Sequence, residues 1–304
     1  MTDNQKKDWA VAEIIDWTTK FFKANSILES RLDAELILSG VLAMKRLDLY
    51  LNFDRLLTLK ELADFKVNIK KRIEGLPIAY ILGKKEFMSL TFKVTPDVLI
   101  PRPETEFLVE EVLRVSRNME VFQKFDINSK ILIVDTFTGS GNIPISLAKH
   151  LNKILYFIYG IDINLKAVKV AHENSLLNQT LRDVRFLHGD ILLPLKIFSL
   201  KGMVDIITAN PPYLKTSVLS TLRKEVKCEP KIALDGGEDG LIFYSRLIDQ
   251  ALDYLKVGGY LVLEIDPELN FLITEKLELN GFGEFNLIKD LQGLDRVLSV
   301  RRLS

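Results

Sequence analysis

The run Asn210-Pro211-Pro212-Tyr213 combines a side-chain amide, two residues that cannot continue a strand, and an aromatic ring. Such a set suits one task, which is holding a planar, weakly nucleophilic –NH2 in front of an electrophile. The Asn210 carbonyl can accept one N–H, a carbonyl of the Pro-Pro turn can accept the other, and the Tyr213 ring can pack over the planar group. A proline-rich strand exit capped by Asn would use the same four residues, so the surrounding sequence has to separate the two readings.

Three other apolar runs end in polar residues. Ile131 to Val134 leads into Asp135-Thr136-Phe137-Thr138-Gly139-Ser140-Gly141, followed by a helical pattern through Ile143, Ile145, Leu147 and Ala148. Glycines at such a turn let a ligand approach the backbone closely, and Pro144 falls in the first helical turn, where its missing N–H is not needed. Ile154 to Ile161 ends in Asp162, about 20 residues after the last glycine, the acidic position that bonds a ribose diol in this topology. Val184 to Leu187 ends in Gly189-Asp190, where a carboxylate can accept from the exocyclic amino group of adenine. Val204 to Ala209 then runs into Asn210. These four strand ends would share one edge of an open α/β sheet, the edge that binds ligands.

The alternation predicts an α/β fold with a Rossmann-like, seven-stranded sheet. Its fifth strand is Tyr260 to Ile265, and Phe285–Ile288 with Val297–Val300 make an antiparallel edge hairpin. Leu165, Val168 and Ala171 set one helix face, and a helix from Leu241 to Leu255 is expected to stop at Gly258-Gly259. The loop Glu229 to Gly240 is turn-rich and acidic, as a lid or substrate-side loop would be.

Upstream, Trp9, Ile14, Trp17 and Phe21 recur at helical spacing, as does the run Leu32 to Leu42. Leu59, Leu62, Phe65, Ile69 and Ile73 form a third stripe, so a small helical bundle is expected. Ser30 with Asp33, and Thr58 with Glu61, read as capping boxes. Gly75-Leu76-Pro77 breaks the pattern, and from Ala79 to Leu99 the period moves towards two, predicting a linking β-hairpin. The expected domains are a helical docking domain at 1–74, a hairpin linker at 75–100 and the α/β domain at 101–304. Within Ile100 to Glu106 two prolines stiffen the backbone, and Glu104 or Thr105 caps the next helix.

The 304 residues carry 41 Lys and Arg against 41 Asp and Glu, a balance that argues against gripping long nucleic acid through phosphates. Cys228 is the only cysteine, and His150, His172 and His188 lack ligand spacing, so no metal or His-based nucleophilic centre is expected. Met1 to Asp8 is polar with no signal-peptide core, and no window reaches the length of a membrane span. A cytoplasmic monomer is the expectation.

Thr138-Gly139-Ser140-Gly141, Asp162, Asp190 and Asn210 to Tyr213 resemble the class I methyltransferases that use S-adenosyl-L-methionine. A sharper resemblance is to the release-factor glutamine methyltransferases, the PrmC/HemK family. It rests on Gly75-x-Pro77-x-x-Tyr80-Ile81-x-Gly83 with Glu86-Phe87, on Val98 to Glu106, on Glu229-Pro230 to Gly240, on Asp290-Leu291-x-Gly293-x-Asp295-Arg296, and on Arg31-Leu32-Asp33-Ala34-Glu35. Two stretches depart from that pattern. Phe137 stands where the family usually has a small residue, commonly glycine, and Asp266-Pro267-Glu268 replaces the usual Gly and nearby Gln.

The resemblance implies that 101–304 is a methyltransferase domain using S-adenosyl-L-methionine without a metal. The implied cofactor residues are Phe137, Thr138, Gly139, Ser140, Gly141, Asp162, Asp190, Ile191 and Asn210. The implied catalytic residues are Asn210, Pro211, Pro212 and Tyr213, joined by Arg102 and Glu104 in holding the substrate. That substrate would be the glutamine of the Gly-Gly-Gln motif in class 1 peptide-chain release factors, methylated on N5, with no direct nucleic-acid or membrane partner. The alternative is an N6-adenine type nucleic-acid methyltransferase, which presents a similar planar –NH2 on a flipped base. The neutral charge and the lack of a basic target-recognition domain favour the protein substrate.

Overall fold

The computed structural model describes residues 8–123, 130–151 and 155–304. Residues 1–7 of the polar N-terminal stretch, and Ile154 at the expected start of a strand, lie outside them. In chain order the helices are α1 (Val11–Ala24), α2 (Ser30–Val41), α3 (Arg46–Leu51), α4 (Leu59–Ile73), α5 (Ile78–Leu82) and α6 (Thr105–Gln123), then α7 (Asn142–His150), α8 (Leu165–Leu177), α9 (Lys224–Lys227), α10 (Ile242–Tyr254) and α11 (Asn270–Leu279). The strands are β1 (Lys84–Phe87), β2 (Leu90–Lys93), β3 (Ile131–Thr136), β4 (Tyr156–Asp162), β5 (Val184–His188) and β6 (Val204–Ala209), then β7 (Leu214–Lys215), β8 (Asp235–Gly237), β9 (Leu255–Glu264), β10 (Phe282–Lys289) and β11 (Asp295–Arg302).

Two compact units result: one runs to Gly83 and takes in Arg223–Cys228, and the other is Lys84–Leu222 with Glu229–Ser304. In the helical unit, α1 buries Val11, Ile14, Ile15 and Phe22. Trp17 instead stacks on Phe21 at the rim, with ring centroids 5.0 Å apart, so the apolar stripe drawn through Trp9 and Trp17 lies beside the core face. Thr58 caps α4 as expected, accepting from Glu61 N at 3.3 Å while the Glu61 carboxylate accepts from Thr58 N at 2.8 Å. The second capping box is absent. Ser30 is already helical and donates back to Ile27 O at 2.6 Å, while Asp33 is buried against Arg72 at 2.7 Å. Arg72 also meets Glu225 at 2.5 Å, so two carboxylates share one buried guanidinium.

Residues 78–82 are a helix, where the sequence pattern points to a strand. A short apolar run carries no period long enough to separate the two, and Gly83, left-handed at φ 68°, ends the helix. The hairpin is therefore β1 with β2, confined to 84–93.

The other unit is built on a seven-stranded sheet in the order β10-β11-β9-β6-β3-β4-β5, with β10 and β11 antiparallel at the edge. Strands β3 and β6 lie at its centre and read as continuous apolar runs because both faces are covered. On α8 the buried residues are Ala167, Val170, Ala171, Asn174 and Ser175, whereas Leu165 is exposed. Helix α10 ends at Tyr254, and Gly258-Gly259 lies inside β9 and not at a helix stop. Gly258 has φ 82° beside a register shift against β6, and a methyl on Gly259 would sit 2.9 Å from Asp205 O. These glycines serve a bulge and a close strand approach.

Candidate active site

Asn210 follows the last residue of β6, where Pro211 and Pro212, both buried, end the ladder. Its Nδ2 donates to Thr105 Oγ1 at 3.2 Å, which commits the nitrogen end of the amide and leaves Oδ1 as the acceptor. Thr105 opens α6 and is buried. On the neighbouring strand, Leu263 pairs with Ala209, which sets Glu264 alongside Asn210. The Glu264 carboxylate lies beside the Thr105 and Asn210 side chains, which favour its charged form, while its Oε2 is buried without a partner. Burial pushes this carboxyl up to about 7; Thr105 opposes the shift, and nearby Glu104 adds to it. Read from the sequence, Glu264 is only a strand end. The available signal is a lone carboxylate inside the apolar run Tyr260 to Ile265.

The glycine-rich loop after Glu229 wraps the same turn. Its β8 pairs with β7 just past Tyr213, and a methyl on Gly240 would lie 2.5 Å from Tyr213 O. Glu229 is buried and accepts from Ile100 N at 3.1 Å and from Arg102 Nη2, which joins this loop to the Ile100–Glu106 stretch. Tyr213 is partly buried, and its hydroxyl is raised by burial and by Glu264, so it stays protonated across the physiological range. Arg296 is held by Asp290 at 2.8 Å, while Asp290 also accepts from Gln292 N and Leu294 N. Ile265 N donates to Arg296 O, which sets that cation near Glu104 and Tyr213.

The turn after β3 forms the second half of the site. Asp162 at the end of β4 accepts from Gly139 N and Asn164 N, both at 2.8 Å, so one carboxylate pins the glycine turn to the next loop. Asn174 on α8, unremarked in the sequence, donates to Ser140 O and Lys93 O and accepts from Lys93 N. Asp135 is fully buried, and neither its carboxylate oxygens nor the buried Thr138 hydroxyl makes a well-formed hydrogen bond. Burial holds the Asp135 carboxyl well above its ordinary range; the neighbouring Thr138 hydroxyl opposes the shift and Asp162 adds to it. Gly139, at φ 53°, has nothing nearer its Cβ side than Phe137 O at 3.9 Å. Buried polar atoms with unused capacity beside an open glycine backbone fit a polar ligand with donors of its own.

Phe137 has φ 59°, a left-handed conformation that glycine adopts without strain and a bulky residue rarely takes. Its ring packs edge-on against Phe243 at 5.5 Å. Asp190 is ion-paired with Arg246, and Ile191 is buried in a left-handed conformation.

Residues 13–83 match the model described as the PrmC N-terminal domain, and residues 127–280 match a methyltransferase domain. A release factor glutamine methyltransferase of Geobacter sulfurreducens is 34% identical over 96% of this chain and 97% of its own. This chain belongs to the release factor glutamine methyltransferase family. Another member, from Thermodesulfovibrio yellowstonii, is 38% identical over 89% of this chain and 92% of its own. Among solved structures, the hMettl16 catalytic domain superposes with a TM-score of 0.52 at 14% identity, covering 83% of this chain and 86% of that one, a likeness of fold alone. The family assignment accounts for a helical unit and an α/β unit in one chain. No helix among the described residues is long and apolar enough to cross a membrane.

Proposed function

We propose that this enzyme methylates the side-chain amide nitrogen, N5, of the glutamine in the Gly-Gly-Gln motif of class 1 release factors, in the cytoplasm, using S-adenosylmethionine. The observation that carries the reading is the commitment of Asn210 Nδ2 to Thr105, which turns Oδ1 into an acceptor at the C-terminal edge of the sheet. The names of the relatives, which are release factor glutamine methyltransferases, support the same substrate.

When bound, S-adenosylmethionine supplies a methyl made electrophilic by its sulfonium. Asp162 would hold the ribose hydroxyls with the lone pairs left after its two backbone contacts, and Asp190 with Ile191 would line the adenine. Asp135 and Thr138, with the Gly139-Ser140-Gly141 backbone, fit the polar amino-acid end, and Phe137 would border it.

The amide nitrogen of glutamine is a poor nucleophile because its lone pair is delocalised into the carbonyl. Asn210 Oδ1 accepts one of its N–H groups and a carbonyl of the Pro211-Pro212 turn accepts the other, which aims the nitrogen in line. The Tyr213 ring packs over the planar group, while Arg102 and Glu104 hold the flanking chain. Orientation of this kind lowers such a barrier by up to roughly 7–11 kcal/mol in favourable cases. No strong base is needed before attack, since the proton leaves from the alkylated nitrogen afterwards.

Transfer of label from S-adenosylmethionine to a purified release factor, run against DNA and RNA, tests the reading. Labelled release factor is expected, and label on nucleic acid alone would replace it with the adenine-type activity.

A further inference from the structure

We propose that Glu264 and Thr105 are positioning residues for Asn210, forming a buried relay that fixes which end of its amide faces the substrate. The inference deepens the reading above and rests on Asn210 accepting from the target amide.

The two ends of an Asn amide have nearly the same shape, so packing alone does not choose between them. A Thr hydroxyl does not choose either, because it donates and accepts. An ionised carboxylate only accepts. Glu264, ionised, offers the neighbouring Thr105 hydroxyl a partner that only accepts; a hydroxyl turned to donate there is left to accept at Oγ1 from Asn210 Nδ2, which lies 3.2 Å away. Oδ1 then faces outward. The chain supplies the carboxylate from a separate strand, β9, whose Leu263 pairs with Ala209, and Tyr244 OH anchors the Glu264 backbone carbonyl at 2.8 Å.

Protonation removes this discrimination, since a carboxylic acid can donate to Thr105 and let the amide turn over. The charged and titratable groups around Glu264 are Glu104 before α6, Tyr213 after β6, Tyr244 on α10, Asp266 after β9 and Arg296 on β11. Burial and Glu104 raise the carboxyl while Thr105 and Arg296 oppose them, leaving it at about 7. The relay is therefore set above about pH 7 and released below it. A purely structural Glu264 could be replaced by Gln, which has the same shape, at little cost to turnover. In the relay, the amide of Glu264→Gln can present either its carbonyl or its –NH2 to Thr105, so the discrimination between the two ends of Asn210 is lost.

The test is kcat against pH for methylation of a release factor by the full-length enzyme, with S-adenosylmethionine affinity measured by calorimetry. Wild-type kcat should rise to a plateau above about pH 7. Glu264→Gln should lower kcat at least ~10-fold and flatten the profile between about pH 6 and 8, with cofactor affinity within about 2-fold of wild type. Thr105→Val should behave alike, and Thr105→Ser, which keeps the hydroxyl, should recover most of the rate. Unchanged kcat and profile in Glu264→Gln, or a loss that leaves the wild-type inflection in place, overturns the relay. If Glu264→Gln does not fold, the comparison of Thr105→Val with Thr105→Ser decides, and equal rates overturn it. A wild-type enzyme inert on the release factor overturns the substrate reading and the relay with it, whereas an active wild type with unaltered variants overturns the relay alone.

Discussion

Gly236 lies so close to Tyr213 that a methyl on its α-carbon would sit 2.7 Å from Tyr213 Cα and 2.8 Å from Pro212 O. The glycine loop is thus moulded to the backbone of the turn that carries Asn210. The nearest atoms are backbone and not the tip of a flexible side chain, so Gly236→Ala must displace the turn itself. Its stability should fall by about 1–3 kcal/mol. Turnover should fall at least ~10-fold, because small misplacements of aligned groups cost rate steeply. Urea denaturation and steady-state methylation read the two effects, and a variant with normal kcat would show that the loop does not shape the site.

Glu229 accepts from the buried Ile100 N and from Arg102, so its loss orphans a backbone donor and frees a cation together. Glu229→Ala should destabilise the α/β unit by about 2–5 kcal/mol, while Glu229→Gln, which keeps an acceptor oxygen, should cost less than half of that. Equal denaturation midpoints for the two variants would remove the carboxylate from this role.

Asp162 has a local task beside the ribose contact proposed for it, because Gly139 N and Asn164 N both depend on its oxygens. Asp162→Ala should therefore weaken S-adenosylmethionine binding by about 1–3 kcal/mol or more. Calorimetry giving wild-type affinity in a folded Asp162→Ala protein would remove both roles.

Glu264 also predicts a slope of stability with pH. Its native carboxyl titrates at about 7 against an ordinary value of 4.5, so between these values the folded protein keeps a proton that the unfolded chain has released. Stability from this group is full below 4.5 and is lost as pH rises through about 7, a change of about 3 kcal/mol. The difference in unfolding free energy between wild type and Glu264→Gln, followed across that window, should show this slope, and a flat difference would place the carboxyl near its usual range.

The succession of strands along the chain and the polar residues at their ends were legible because β3, β4 and β6 are apolar runs that stop at Asp or Asn, and Val184 to Leu187 runs on to Gly189-Asp190. The place of Glu264 was not, since the sequence does not say that β9 pairs with β6, and only that pairing brings Glu264 to Asn210. Local cues misled where tertiary contacts claimed the residue first. Asp33 resembles a capping partner for Ser30 but is taken by Arg72, and Gly258-Gly259 resembles a helix stop but serves a bulge. Asn174 carried no signal at all, because its three hydrogen bonds go to backbone atoms of Lys93 and Ser140.

Asn210 is proposed to orient the target nitrogen. Single-turnover methylation of a release factor by wild type and by Asn210→Ala, with the modified residue located by tandem mass spectrometry, tests it most directly. Wild type should place one methyl on the glutamine of Gly-Gly-Gln, and Asn210→Ala should do so ~10²-fold more slowly or worse, with S-adenosylmethionine still bound. A near-normal chemical rate in Asn210→Ala, or a methyl on another residue, would contradict the account and leave Asn210 to Tyr213 as a strand exit only.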